Sequence, residues 1–215
     1  MTVPRVLPGP RRDRTRLTRT RILEAARLEL GRDPDSSLGA IAEAAGVSRR
    51  TVYGHFAGRS ALVEGLVDDA GKALREALTV VELPPSDAID PIDAMARFVL
   101  TLWPVGDRYR MLLRLAPQDL GAERVDAVLA PARDMATAII TEGRRQSVFR
   151  TSLPPLVLSR AIEAHILALL ECVNTGIWTD DGTRTAAAVL IAVGADSDLA
   201  ATHVRRLRRP ERRGA

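Results

Sequence analysis

Apolar residues recur along most of the chain at intervals of three and four, the period of an amphipathic helix, and no stretch alternates for long as a strand does. Ile22, Leu23, Ala26 and Leu30 mark a first helix over about residues 18–30, stopped by Gly31 and the Asp/Pro/Ser run behind it. A second, short helix over about 38–45 takes Ser36 or Ser37 as its N-cap and breaks at Gly46. A third starts from the N-cap Ser48 and ends near Phe56. A longer fourth helix follows over about 60–80. The clearest boundary is the proline-rich run Glu82–Pro91. Beyond it the pattern predicts helices over about 91–103, with Asp90 capping and Pro91 at the first position, then 107–115, and 122–146 with Pro131 as a point to bend. The last three lie over about 155–178, 183–193 behind the Asp180–Asp181 cap, and 197–209. The expectation is an all-α protein: a basic, disordered arm over 1–16, a three-helix unit over 17–62, a larger helical unit over 63–209, and a basic tail over 210–215.

Charge adds a direction to this layout. Residues 1–60 hold 12 arginines against 6 acids, residues 61–200 hold 13 basic against 20 acidic residues, and residues 201–215 hold 6 arginines against one acid. Two basic ends thus flank an acidic middle, which points to a nucleic-acid partner at the N-terminal end and away from a protein that coats DNA along its whole surface. A single cysteine, Cys172, excludes an internal disulfide framework. The absence of an apolar leader and of a run near 20 apolar residues predicts a soluble, cytoplasmic protein.

The stretch that carries chemistry is "GVSRRTVYGHF", residues 46–56. At helical spacing Val52 and Phe56 share an inner face with Val47, while Arg49, Arg50 and Tyr53 form an outer face and Thr51 and His55 an edge. Ala42, Gly46 and Val52 have helix-turn-helix spacing: a small residue for close approach, a glycine for the turn, and an apolar residue to close the core. In such a unit the second helix lies in the major groove. Arginine's planar fork suits the guanine edge, and hydroxyls and ring N–H groups suit phosphate oxygens.

The segments "TRTRILEAARLEL" and "IAEAAGVSRRTVYGHFAGRSALVEGL" resemble the TetR family of bacterial transcriptional regulators over about residues 18–66; the rest of the chain is similar only in layout. The resemblance implies a homodimer in which each N-terminal domain reads one half of a palindromic operator, while the C-terminal domain binds a small ligand and carries the dimer interface. It places Arg49, Arg50 and Tyr53 at base-contacting positions and Thr51, His55 and Arg59 at phosphate-contacting ones. Ser37, at the start of the second helix, Ser48 and Thr20 complete the DNA-facing set. Arg59 stands where the family usually has lysine, and Gly54 where a larger side chain is common.

In the second unit the helix over 155–178 is apolar on more than one face, as a helix packed between a pocket and a partner is. With the small-residue helix over 183–195 it makes the expected dimer bundle. Phe98, Leu102, Trp103, Tyr109, Met111, Met135, Ile140, His165 and Trp178 are the candidate ligand contacts. No metal or other cofactor is expected, because His165, Glu171 and Cys172 lack ligand spacing. No nucleophile elbow, phosphate loop or carboxylate pair speaks for an enzyme. The reading is a ligand-responsive repressor acting as a dimer. An activator, or a ligand-independent or non-specific DNA-binding protein of the same fold, is the alternative.

Overall fold

The structure, a computed structural model, describes residues 10–81 and 90–208, with side chains from residue 14 onward. Ten α-helices account for its regular structure, and there is no strand among the described residues: α1 (Pro10–Arg32), α2 (Leu38–Ala44), α3 (Arg49–His55), α4 (Arg59–Val80), α5 (Pro91–Arg108), α6 (Leu112–Leu120), α7 (Ala122–Arg145), α8 (Pro155–Asn174), α9 (Thr183–Ala192) and α10 (Ser197–Arg208). No described helix is long and apolar enough to cross a membrane. The run 82–89, the first nine residues and the tail from 209 lie outside the described residues.

Four helices differ in extent from the periodic pattern, each for a physical reason. The first helix begins at Pro10, so residues 10–16, expected in a disordered arm, are helical. Proline is tolerated in a first turn and arginine is a good helix former. The hydroxyls of Thr18 and Thr20 donate back to the carbonyls of Arg14 and Arg16, as mid-helix threonines do. The fifth helix does not stop before Pro104 but runs to Arg108. Phe98, Leu102, Val105 and Tyr109 continue one apolar face across the proline, which itself points to solvent. The sixth helix is displaced accordingly to Leu112–Leu120, after a tight turn in which Leu112 N donates to Tyr109 O at 2.9 Å and Leu113 N to Arg110 O at 3.0 Å. The eighth helix ends at Asn174, short of Trp178, with Gly176 at a φ of 74° behind it.

Two apolar cores result. One joins the end of α4 to α5 and α7–α10 around Met95, Ile140, Val189 and Leu190. The other gathers Ile22, Ala26 and Leu30 of α1, Ile41 of α2, Val52 of α3 and Leu62, Val63, Leu66 and Val67 of α4. This second core does not end with the N-terminal unit. It runs on to Tyr109, Met111, Leu112, Leu115 and Ala116, so α6 packs into the same cluster as the helix-turn-helix. Polar ties reinforce the junction. Tyr109 Oη donates to Asp69 Oδ2 of α4 at 2.6 Å. Arg27 of α1 donates to the carbonyl of Arg108 at 3.3 Å, and Arg108 pairs with Glu24 at 2.9 Å.

Two predictions test this junction. Leu66 is fully buried where the two units meet, and Leu66→Ala is expected to lower unfolding free energy by about 2–5 kcal/mol in urea titration. Burial, and then the bond and charge of Asp69, raise Tyr109 to a pKa of about 12. A raised folded pKa favours the neutral phenol. Its stabilisation is therefore complete below the unfolded value near pH 10 and disappears as pH rises through about 12. In a Tyr53→Phe background, absorbance titration is expected to show the Tyr109 phenolate only near pH 12, and Asp69→Asn to move that titration downward.

Candidate functional sites

The first site is built on α2 and α3. Ser37 Oγ accepts from Ala40 N at 3.1 Å, which caps α2. The chain leaves α2 through Gly46 at a φ of 61°, with Gly46 N donating to Glu43 O at 2.9 Å and Val47 N to Ala42 O at 3.0 Å. This pair of bonds is the Schellman arrangement, whose left-handed residue suits glycine. Ser48 then caps α3, its Oγ accepting from Thr51 N at 3.1 Å and meeting Thr51 Oγ1 at 2.8 Å.

Val52 and Phe56 anchor α3, and a guanidinium from α1, that of Arg19, lies 5.2 Å over the Phe56 ring. Arg49, Arg50 and Tyr53 face outward, Tyr53 with 56% of its surface exposed. Thr51 and His55 are half-buried along the edge, and Ser37 and Thr20 are exposed. The Arg49 guanidinium lies across Gly39 of α2 so closely that a Cβ there would come within 2.8 Å of it.

Arg59 stands differently from the rest. Its guanidinium donates to Pro34 O at 2.6 Å and lies 3.7 Å from Asp119 at the end of α6. Arg59, expected at a phosphate-contacting position, here ties the loop before α2 to the sixth helix. No periodicity signals it, because the carbonyls that hold the arginine belong to a loop and the carboxylate to a distant helix.

Charge is distributed unevenly. Arg14, Arg16, Arg21, Arg49 and Arg50 form no ion pair with any described residue, whereas Arg108, Arg110, Arg114, Arg124, Arg133 and Arg160 in the second unit are all paired. Arg75, Arg97, Arg144, Arg150 and Arg205 of the second unit also form no ion pair with a described residue, so what sets Arg49 and Arg50 apart is their exposed place on α3.

The second site is a cavity of about 180 Å³ bounded by α4–α8. Of the residues expected to touch a ligand, Phe98, Leu102, Trp103 and Tyr109 line it. Met111 and Ile140 are buried in the cores instead, and Met135 packs against one of them. Trp178 lies edge-on to Trp103, 6.0 Å away, beneath Arg184 at 5.0 Å. His165 is exposed with Ala161, Ala164 and Ala168 on the opposite face of α8. An all-round apolar helix does not reveal which face meets the cavity, and α8 turns Ile162, Ile166 and Leu170 toward it.

Sequence reasoning missed the wall formed by α7. Val125, Val128, Leu129, Ala132 and Ala136 stand at helical spacing there, with Arg133 in the same stripe. A cation inside an apolar stripe is the signal that could have found it. Arg133 is 6% exposed, donates to Glu163 Oε2 at 3.0 Å and reaches Asp126 Oδ1 at 2.8 Å. Burial alone would depress its pKa; the bonds and charge of the two carboxylates outweigh burial and raise it.

Residues 22–66 match the family model described as "Bacterial regulatory proteins, tetR family". No curated protein matches the chain. Several solved structures share its fold. A gamma-butyrolactone receptor described as ArpA-like is 17% identical with a TM-score of 0.68, over 90% of this chain and 98% of that one. The TetR family transcriptional regulator PfmR from Thermus thermophilus is 19% identical with a TM-score of 0.63, over 81% of this chain and 98% of that one. NalD, the secondary repressor of the MexAB-OprM multidrug efflux pump in Pseudomonas aeruginosa, is 23% identical with a TM-score of 0.58, over 83% of this chain and 96% of that one. Residues 22–66 thus match the N-terminal domain of the tetR family of bacterial regulatory proteins, and the all-α fold around them is the one these structures share along most of the chain.

Proposed function

We propose that the protein is a ligand-responsive repressor that binds a palindromic DNA operator as a homodimer. The observation that carries the reading is the outer face of α3: Arg49, Arg50 and Tyr53 stand exposed on a helix anchored by Val52 and Phe56, and neither Arg50 nor Tyr53 is engaged by a hydrogen bond or ion pair with a described residue. In this reading Arg49, Arg50 and Tyr53 contact bases. Thr51 and His55 contact phosphates, with Ser37, Ser48 and Thr20 along the same backbone. The two α3 helices of a dimer would enter successive major grooves, with half-site centres ~34–36 Å apart or a multiple of that.

The dimer surface in this reading is the outer face of α8 and α9, where Val157 and Ile191 are 51% and 52% exposed beside the small residues Ala161, Ala164 and Ala168. The effector site is the cavity. Its sixth-helix wall, Leu112, Leu113 and Ala116, belongs to the helix that carries Asp119 in its last turn, and Asp119 holds Arg59 against the loop before α2. A ligand that shifts α6 would therefore shift the α2–α3 pair. That NalD is described as a repressor and the ArpA-like protein as a receptor agrees with this direction of regulation.

Selection from random duplex DNA tests the base-reading assignment. The native protein is expected to enrich a palindrome. Arg50→Ala is expected to lose discrimination of ~1–3 kcal/mol at one symmetric pair of positions. Enrichment of nothing by either protein would refute sequence-specific reading. A salt titration tests Arg59. Each phosphate contact contributes about 0.9 to the slope of log affinity against log salt concentration. Because Arg59 is tied to Pro34 and Asp119, Arg59→Ala is expected to leave that slope unchanged. A slope lowered by one contact would return Arg59 to the phosphate backbone.

A further inference from the structure

The chemistry of the cavity narrows what it can hold. Its wall is almost wholly hydrocarbon: Leu74 of α4, Phe98 and Leu102 of α5, Leu112 of α6, Val128 of α7 and Leu170 of α8 are typical of it. Six lining residues carry a polar or charged side-chain group, and each already has a partner; Trp103 Nε1 donates to Asp180 O at 3.1 Å. Tyr109 Oη donates to Asp69 at 2.6 Å. Arg110 donates to Asp107 Oδ1 at 2.7 Å. Ser159 Oγ donates to Leu156 O at 3.0 Å and accepts from Thr137 Oγ1 at 2.8 Å. Arg133 and Glu163 engage each other through two bonds, of 3.0 and 3.2 Å, and Arg133 also reaches Asp126. Among the described residues no buried side-chain nitrogen or oxygen lacks a partner.

Arg133 suggests, taken alone, a site for a carboxylic acid. Its surroundings argue the opposite. The guanidinium meets two carboxylates, so an incoming anion would have to displace Glu163, which would then stand half-buried and unpaired. An incoming cation would have to take Glu163 from Arg133 and leave that guanidinium short of charge. A neutral polar group would lose its water to a wall that is mostly hydrocarbon, where the polar groups already have partners and only the half-exposed Arg110 keeps N–H groups without one.

Resting on the reading of this cavity as the effector site, we propose that it takes a neutral, almost wholly hydrocarbon molecule of about one substituted ring. Size follows from volume. A dry apolar cavity of about 150 Å³ accepts benzene, and the 180 Å³ here leaves room for a ring with a short substituent. Nucleotides, organic acids and amines are excluded as primary occupants.

The test uses the full chain and three probes of matched shape: toluene, benzoate and benzylammonium, titrated by calorimetry and followed by melting temperature. Toluene is expected to bind saturably and raise the melting temperature, with the two charged probes at least tenfold weaker. Ala132→Phe, which fills the cavity from α7, and Leu102→Trp, which fills it from α5, are each expected to weaken toluene at least tenfold; circular dichroism identifies the variant that keeps its fold. Benzoate or benzylammonium binding as tightly as toluene would overturn the proposal. So would the absence of saturable toluene binding, or native affinity in a folded cavity-filled variant.

Release of the selected DNA is scored separately. Toluene binding without release leaves the ligand class standing and removes the effector role. Release only by a charged compound acting at this cavity keeps the effector role and overturns the class.

Discussion

The packing of α4 against α6 is the constraint on which the rest of the molecule depends. Leu62, Val63, Leu66 and Val67 of α4 share one apolar cluster with Leu112, Leu115 and Ala116 of α6 and with the helix-turn-helix residues Ile41 and Val52. Interiors packed at crystal-like density do not deform smoothly; they exchange one arrangement for another. A displacement of α6 therefore cannot be absorbed locally, because the same side chains that seat α6 also seat the helix beneath α3. The cavity on the other side of α6 is then coupled to the N-terminal unit by contact, without a long relay.

Ion pairs divide the surface in the same way. Exposed pairs contribute little to stability, typically below about 1 kcal/mol. Their effect here is on where free charge remains. Arg114 is occupied by Glu171, Arg124 by Glu64 and Asp68, and Arg160 by Asp126, within a unit whose sequence holds more acids than bases. Arg49 and Arg50 have no such partner. Net charge over the whole chain is only +4, and Arg49 and Arg50 stand among the cations that no carboxylate of the described residues meets. Arg59 belongs to the paired class despite its position, and it braces the loop before α2 against α6.

What could be read from the sequence was local. The split of α3 into an anchor and an outer face follows from spacing alone, as do the cap Ser48, the turn at Gly46 and a cap for α2 at Ser36 or Ser37, of which the structure takes Ser37. Each depends on residues within a few positions of one another. The misreadings all involve competition with something distant. Pro104 reads as a stop, but the apolar face from Phe98 to Tyr109 has a core to bury into, and packing outweighs the lost backbone bond. His165 reads as a pocket residue because α8 is apolar on both sides, and only the placement of α7 decides which side is inside. The Arg59 tie joins three separate segments and leaves no periodic trace.

The buried Arg133 shows why a polar group in a cavity need not be there to hold a ligand. Placing a guanidinium at 6% exposure is costly unless its charge is met, and here Glu163 and Asp126 meet it from α8 and α7. Breaking such a pair costs far more than it contributes when intact, so the cluster resists any ligand that competes for either partner. What the pair supplies is registry: Arg133 and Glu163 can bond only when α7 and α8 stand at one relative height. Those two helices carry the cavity wall on one side, and α8 exposes Val157, Ala161 and Ala164 on the other. One ion pair thus holds the cavity's shape and the outer face of α8 in a common frame, while leaving the space between them to hydrocarbon.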